Sequence, residues 1–295
     1  MSGSKGRSAH IDALLQESSS RIPGIAVAAV VGGSVVYSGA AGRAEEGGPE
    51  VHPERTAFLT ASITKTFLAV TCLQCCERNV LNLDQDIGAY IPTRIFNPTF
   101  PETPITARQL LTHTAGLNDN EDALLPGRYR SEGTDCSVTL EEYVRERFGS
   151  TEYEAKEEMW SQTHAPGLAT YHYSNAGFTL LGWVVQCASG RSVASLAQER
   201  IFDPLGMTRT KYFLADMKIL EDTDLAIPHD EDRKGVGHYG VAEWPAAQGV
   251  RTHVYIWPGR KAGLVILTNG SEDYSDIERC IYSFIEGLTA PRVQD

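Results

Sequence analysis

The stretch that decides the fold is LTASITKTF at residues 59–67, in which Ser62 and Lys65 stand three residues apart. Since it leads straight into the apolar run Phe67 to Val70, we expect both side chains on one face of a helix. A serine hydroxyl is a weak nucleophile until a base takes its proton, and a lysine can do so when burial lowers its pKa. The pattern indicates a nucleophile and its base, although such spacings are also common at solvated helix starts.

A second polar cluster, YHYSNAGF at residues 171–178, precedes another apolar segment. A tyrosine beside a lysine can carry a proton between a nucleophile and a leaving group, which makes Tyr173 a third catalytic candidate. Asn175 is a candidate substrate-binding residue, since its amide can donate to a substrate or hold Lys65 in place. The alternative is a buried loop whose hydroxyl groups are satisfied by the backbone.

Taken together, the two clusters resemble the paired motifs of the serine β-lactamases, penicillin-binding proteins and related esterases, Ser-x-x-Lys followed by Tyr-x-Asn. The form with tyrosine is similar to class C β-lactamases and DD-peptidases. The segments ITARQLLTHTAGL at 105–117 and IFDPLGM at 201–207 also look like segments of that family. The resemblance covers nearly the whole chain and implies a serine hydrolase that acts through an acyl-enzyme. We expect neither a cofactor nor a metal. His113, within the first segment, is expected to lie in a structural turn.

The same family carries a third motif, Lys or His followed by one residue and Gly, on a strand opposite the nucleophile. The nearest match is His238-Tyr239-Gly240, which makes His238 and Gly240 candidate substrate-binding residues. A second possibility is that the motif is missing, with a join near His253 and Val254. Its loss would remove one of the two backbone N–H groups that stabilise the oxyanion, the other being that of Ser62.

Both ends of the chain predict a sheet with flanking helices. A helix near Ile11 to Gln16 precedes strands at Ile25 to Val31 and Ser34 to Tyr37, which Gly32-Gly33 joins as a hairpin. At the other end, strands at Val254 to Trp257 and Leu264 to Thr268 precede a helix with apolar residues at helical spacing. The fold class is therefore α+β, an antiparallel sheet flanked by terminal helices, with an inserted, mostly helical lobe. We expect one domain over 1–295, with a sheet lobe at about 1–65 and 240–295 and a helical lobe at about 66–239.

Composition narrows the choice of partners. With 26 basic and 38 acidic residues the net charge is −12, which argues against nucleic acid. Residues 1–10 are polar and small and offer no signal-peptide core, and the run Ile25 to Val31 is too short to span a membrane. Three of the six cysteines, Cys72, Cys75 and Cys76, have the helical spacing of buried thiols in an apolar segment, so a cytoplasmic location is expected. His229 and the acidic residues after it could suggest a metal, but a solvated loop is the interpretation we favour. The sequence does not decide the oligomeric state.

The function predicted from these residues is hydrolysis of a small ester or amide, a lactam included, with an ester as the first choice. Two alternatives stay open at this point. One is an acyltransferase of the same family, and the other is a non-catalytic scaffold that lacks an intact third motif.

Overall fold

The computed structural model describes residues 2–119, 130–131, 134–148, 159–168, 170–218, 220, 223–229, 238–239, 250–270 and 272–289. The chain divides into two compact units. Unit 1 contains Met1–Ile63, Leu220–Gly237 and Ala247–Asp295, and unit 2 contains Thr64–Ile219 and His238–Ala246. The assignment of the chain to a single domain stays a prediction.

The described strands and helices are as follows. The strands are β1 (Gly24–Val31), β2 (Ser34–Gly42), β3 (Arg130–Ser131), β4 (His238–Tyr239), β5 (Thr252–Trp257) and β6 (Ala262–Thr268). The α-helices are α1 (Ser2–Ser18), α2 (Thr64–Glu77), α3 (Ala107–Leu111), α4 (Leu140–Phe148), α5 (Asn175–Ser189), α6 (Val193–Ala197), α7 (Leu214–Lys218) and α8 (Ser275–Thr289).

Unit 1 is built on a four-stranded antiparallel sheet with the strand order β2-β1-β6-β5. The tight turn between β1 and β2 uses Gly32 and Gly33 at positive φ, a conformation that costs glycine little. The β5–β6 hairpin turns through a 3-10 helix at Pro258–Arg260. Within the described residues β5 pairs with β6 alone, so it is an edge strand of this sheet.

The core of unit 1 lies between this sheet and the two terminal helices. Every second residue of β6 is buried, and α8 buries Ile277, Ile281, Phe284 and Ile285, which recur at helical spacing. Helix α1 contributes Ile11 and Leu15 to the same cluster. The prediction of an α+β fold with an antiparallel sheet flanked by terminal helices is therefore confirmed.

Unit 2 is mostly helical, and α5 is its centre. All residues from Ala176 to Val185 are buried, which explains why this helix is apolar on all sides rather than on one stripe. Helix α2 packs on it with the buried residues Leu68, Cys72 and Cys75. Strands β3 and β4 form a separate two-stranded sheet in this unit.

Among the residues that the structure describes, no helix combines the length and the apolar character that a membrane span requires.

The packing of unit 1 gives a stability prediction. Ile281 is fully buried, so Ile281→Ala should lower the free energy of unfolding by about 2–5 kcal/mol, because the change removes apolar contacts and leaves a cavity. Leu288→Ala, on the same helix but 40% exposed, is the matched control and should cost less than about 1 kcal/mol. Urea unfolding followed by circular dichroism measures both values, and equal losses would contradict this account of the core.

Candidate active site

Ser62 lies in a one-turn 3-10 helix, Ala61–Ile63, which leads directly into α2. The residue before it, Ala61, has φ 44°, a left-handed conformation that is unfavourable for a residue with a Cβ. The backbone N–H of Ile63 donates to the carbonyl oxygen of Thr60 over 3.0 Å and closes the turn. Ser62 is exposed at this turn.

Strand β5 supports the same turn within unit 1. The hydroxyl of Thr252, the first residue of β5, donates to the carbonyl oxygen of Thr60 over 3.1 Å. The register of β5 against β6 runs without interruption from Thr252 to Trp257. Residues His253 and Val254, where the sequence suggested a join, therefore lie in regular strand structure beside the Ser62 turn.

Lys65 is the second residue of α2, and its side chain is only 6% exposed. Its Nζ donates to Oδ1 of Asn175 over 2.7 Å and lies 4.8 Å from the centroid of the Tyr173 ring. Burial lowers the pKa of the Lys65 amine from 10.5 to about 7, against the opposing effect of the Asp119 carboxylate. A lysine with this pKa is a neutral amine for much of the time near pH 7 and can accept a proton.

Asn175 is the first residue of α5, and the polar residues before it hold the start of the helix. Ser174 is the N-cap, and its hydroxyl accepts the N–H of Gly177 over 2.8 Å. Tyr173, immediately before the cap, is 39% exposed. In unit 2 the structure thus brings together Lys65, Tyr173 and Asn175, three of the residues predicted from the sequence.

Two residues that the sequence did not assign to the site fix this segment. The carboxylate of Asp119 accepts hydrogen bonds from the hydroxyl of Ser174 over 2.7 Å and from the backbone N–H of Asn175. Nδ1 of His113 accepts the backbone N–H of Ser174 over 3.0 Å, and the His113 ring lies 4.6 Å from that of Tyr173. His113 itself lies in a turn at φ 56°. Burial, and then the nearby Lys65 amine, lower the pKa of His113, which agrees with a neutral ring that accepts at Nδ1.

The residues of the possible third motif are described only in part. His238 lies in β4, whose partner is Arg130–Ser131 of β3 and not a strand of the four-stranded sheet. Gly240 lies outside the described residues. Their role in substrate binding stays a prediction.

The possible metal site was suggested by His229 and the residues after it. His229 is buried in unit 1, where its backbone N–H donates to the carbonyl oxygen of Asn269 over 2.8 Å, and residues 230–232 lie outside the described part. Across the described residues, no three His, Cys, Asp or Glu side chains are grouped in a way that could hold a metal ion. No disulfide joins the six cysteines, all of which are described.

The model of the Beta-lactamase family matches residues 8–251, more than half of the sequence. The chain belongs to the Beta-lactamase family. This result agrees with the resemblance stated from the two motifs.

Relatives of this Beta-lactamase family member carry several different names. It is 29% identical to esterase EstB of Burkholderia gladioli over 77% of this chain and 56% of EstB. It is 28% identical to penicillin-binding protein 4* of Bacillus subtilis over 63% of this chain and 37% of that protein. The chain thus spans little more than a third to about half of these relatives' lengths. The solved octameric penicillin-binding protein homologue from Pyrococcus abyssi has a TM-score of 0.72 at 20% identity, over 95% of this chain and 77% of that one.

The electrostatics of Lys65 give a second stability prediction. The Lys65 amine has a pKa of about 7 in the folded chain and an ordinary pKa near 10.5 when exposed, so the unfolded chain binds more protons between these two pH values. The wild-type free energy of unfolding should therefore rise from pH 7 to pH 10 relative to that of Lys65→Met.

Urea unfolding of both proteins at pH 7, 8.5 and 10 measures this difference. Lys261→Met, which removes an exposed lysine, is the control and should keep a constant difference from the wild type across the same range. A difference between Lys65→Met and wild type that does not change with pH would contradict the burial of a titrating amine.

Proposed function

We propose that this chain is a serine hydrolase that forms an acyl-enzyme on Ser62. The observation that carries the proposal is the burial of the Lys65 amine, three residues after a serine in a strained turn. This burial lowers the pKa of Lys65 to about 7. Solvated lysines at helix starts keep a pKa near 10.5 and cannot act as bases at neutral pH. The same amine contacts Tyr173 and Asn175, the two residues that the second motif adds.

In the proposed reaction the Oγ of Ser62 attacks the substrate carbonyl carbon while its proton passes to the neutral amine of Lys65. The carbonyl oxygen becomes an oxyanion. When the oxyanion collapses, the bond to the leaving group breaks, and Tyr173 delivers a proton to the departing oxygen or nitrogen, its own proton being replaced from Lys65. In the second half of the reaction water takes the place of the leaving group. It attacks the acyl carbon and gives its proton to Tyr173, which passes its own to Lys65, and Lys65 returns a proton to Oγ of Ser62 as the ester bond breaks and the acid is freed.

Two backbone N–H groups of unit 1 are our candidates for stabilising the oxyanion. The first belongs to Ser62, at the amino end of α2, where helix N–H groups favour negative charge. The second belongs to Thr252. The N–H of Asn269 donates to the carbonyl oxygen of Gly24 of β1, so the odd-numbered residues of β6 direct their backbone N–H and C=O groups towards β1 and the even-numbered residues direct theirs towards β5. Thr252 pairs with the odd-numbered Leu267, so the N–H of Thr252 points away from β6, towards the open edge beside the Ser62 turn.

The substrate we propose is a small ester, with amides and lactams as further substrates of the same chemistry. The similarity to esterase EstB, which covers 77% of this chain, favours an ester. We assign Asn175 to substrate binding through its amide, since its Oδ1 already accepts from Lys65. His238 and Gly240 complete the residues that we propose for substrate binding. A cytoplasmic location is also part of this proposal.

Removal of the nucleophile tests the proposal most simply. Ser62→Ala should lose at least about 10³-fold in the rate of p-nitrophenyl acetate hydrolysis, because no acyl-enzyme can form. Ser34→Ala, which removes an exposed serine of unit 1, should keep the wild-type rate. Intact-mass measurement after a fluorophosphonate probe should show one adduct on the wild type and none on Ser62→Ala.

The outcomes separate the alternatives. A folded wild-type chain without an adduct would support the non-catalytic scaffold and end the hydrolase proposal. If added alcohol diverts most of the acetyl group into a new ester, the chain is an acyltransferase that uses the same serine.

The pKa of Lys65 predicts the pH profile of the reaction. Below about pH 7 the amine is protonated, so kcat/KM should fall close to tenfold per pH unit, and above it kcat/KM should reach a plateau. Lys65→Arg, whose side chain stays protonated, should be inactive throughout, whereas Lys211→Arg should keep the wild-type profile. A rate that is flat from pH 5.5 to pH 8.5 would contradict the assignment of Lys65 as base.

A further inference from the structure

We propose that Asp119 is a positioning residue of this site: its carboxylate holds the start of α5 so that Tyr173 and Asn175 face the Lys65 amine. This proposal rests on the serine hydrolase function proposed above, in which Lys65 and Tyr173 move the proton and Asn175 binds the substrate. Asp119 stands 54 positions before Tyr173 in the sequence and belongs to neither of the motifs from which the site was predicted.

The contacts of Asp119 gather on one short segment of the chain. Its carboxylate accepts from the Ser174 hydroxyl over 2.7 Å, from the backbone N–H of Asn175, and from that of Ala176 over 3.3 Å. The first N–H groups of a helix have no partner within the helix and carry partial positive charge, so a carboxylate there is stabilising. Three bonds to consecutive residues leave the backbone around Asn175 little freedom to turn.

His113 holds the same segment at two further points. Its Nδ1 accepts the N–H of Ser174, and its carbonyl oxygen accepts the N–H of His172 over 2.9 Å. The rings of His113 and Tyr173 lie 4.6 Å apart at 30°, which supports one face of the Tyr173 ring. Since His113 and Asp119 lie six residues apart on one loop after α3, a single segment positions the whole second motif.

The carboxylate also acts on Lys65 through its charge. Groups around the amine are Tyr173, Asn175 and Phe178 from the second motif, with His113 and Asp119 from the loop after α3. Asp119 is the anion among those named, and it raises the pKa of Lys65 against the effect of burial. Replacing the Asp119 carboxylate by an uncharged group of the same shape should therefore make Lys65 lose its proton at lower pH.

Asp119→Asn tests both effects in the full chain. The amide cannot accept from all three donors as the carboxylate does, so kcat for p-nitrophenyl acetate should fall by about 10²-fold, the effect of a small displacement of reacting groups. In parallel, the titration of Lys65, followed by NMR of ¹³Cε-labelled lysine and assigned with Lys65→Arg, should move to lower pH. Asp84→Asn is the matched control, because Asp84 is an exposed carboxylate paired with Arg108, and it should change neither value.

Asp119→Glu separates position from charge. It keeps the anion but moves it by one methylene, so kcat should fall while Lys65 titrates close to the wild-type pH. If Asp119→Asn does not fold, the comparison of Asp119→Glu with the wild type tests the position of the carboxylate. The proposal is overturned if both variants keep the wild-type kcat, or if Lys65 titrates in Asp119→Asn as in the wild type while activity falls only with the folded fraction.

The NMR titration needs no substrate, so it distinguishes this proposal from the hydrolase proposal. Suppose that the Lys65 titration moves to lower pH in Asp119→Asn but that Ser62 of the wild type takes no phosphonate. The effect of Asp119 on the pKa of Lys65 would then stand, and only the serine hydrolase proposal would be rejected.

Discussion

The burial of one amine, that of Lys65, is the constraint on which the rest of the site depends. A charged ammonium group loses most of its hydration when it is only 6% exposed, and nearby groups must offset that cost. Asn175 provides a hydrogen bond and Asp119 provides a negative charge, but burial remains the larger effect, since the pKa settles at about 7. Stability and the proposed chemistry are in conflict here, because a better solvated lysine would cost the fold less and would stay protonated.

Two helices of unit 2 keep the amine in this position. Helix α2 carries Lys65 on the same face as Leu68 and Cys72, so the buried face that anchors the helix also draws the lysine inward. Helix α5 is buried on all sides, which fixes its axis and therefore the place where it begins. The first N–H groups of a helix have no partner within the helix, and here Asp119 and His113 accept those of Ser174 and Asn175 and so set the direction of Tyr173 and Asn175.

Much of the fold was accessible from the sequence because its signals are local. The alternation of β6, the glycine turn between β1 and β2 and the helical spacing of α8 all lie within about 15 residues of chain. The predicted boundaries differ from the observed ones where the local pattern is weak. Helix α1 begins at Ser2 and not near Ile11, and its start could not be predicted because its first residues are polar and show no apolar period. Strand β5 begins at Thr252 and not at Val254.

The same limit explains what the sequence did not reveal in the site. Ser62 and Lys65 are three residues apart, and Tyr173 and Asn175 two, so both pairs could be recognised by spacing. Asp119 reaches the second motif across 55 residues, and in the sequence it stands among other acidic and polar residues that resemble an ordinary loop. The support of the Ser62 turn by Thr252 spans 192 residues and leaves no local trace either.

A crystal structure of the chain after reaction with a fluorophosphonate tests the central claim most directly. The account predicts phosphorus bonded to Oγ of Ser62, that same Oγ within about 3.2 Å of Nζ of Lys65, and the phosphonyl oxygen accepting the N–H groups of Ser62 and Thr252. A phosphonylated Ser62 whose Oγ lies far from the Lys65 amine, or an adduct on a different residue, would contradict it.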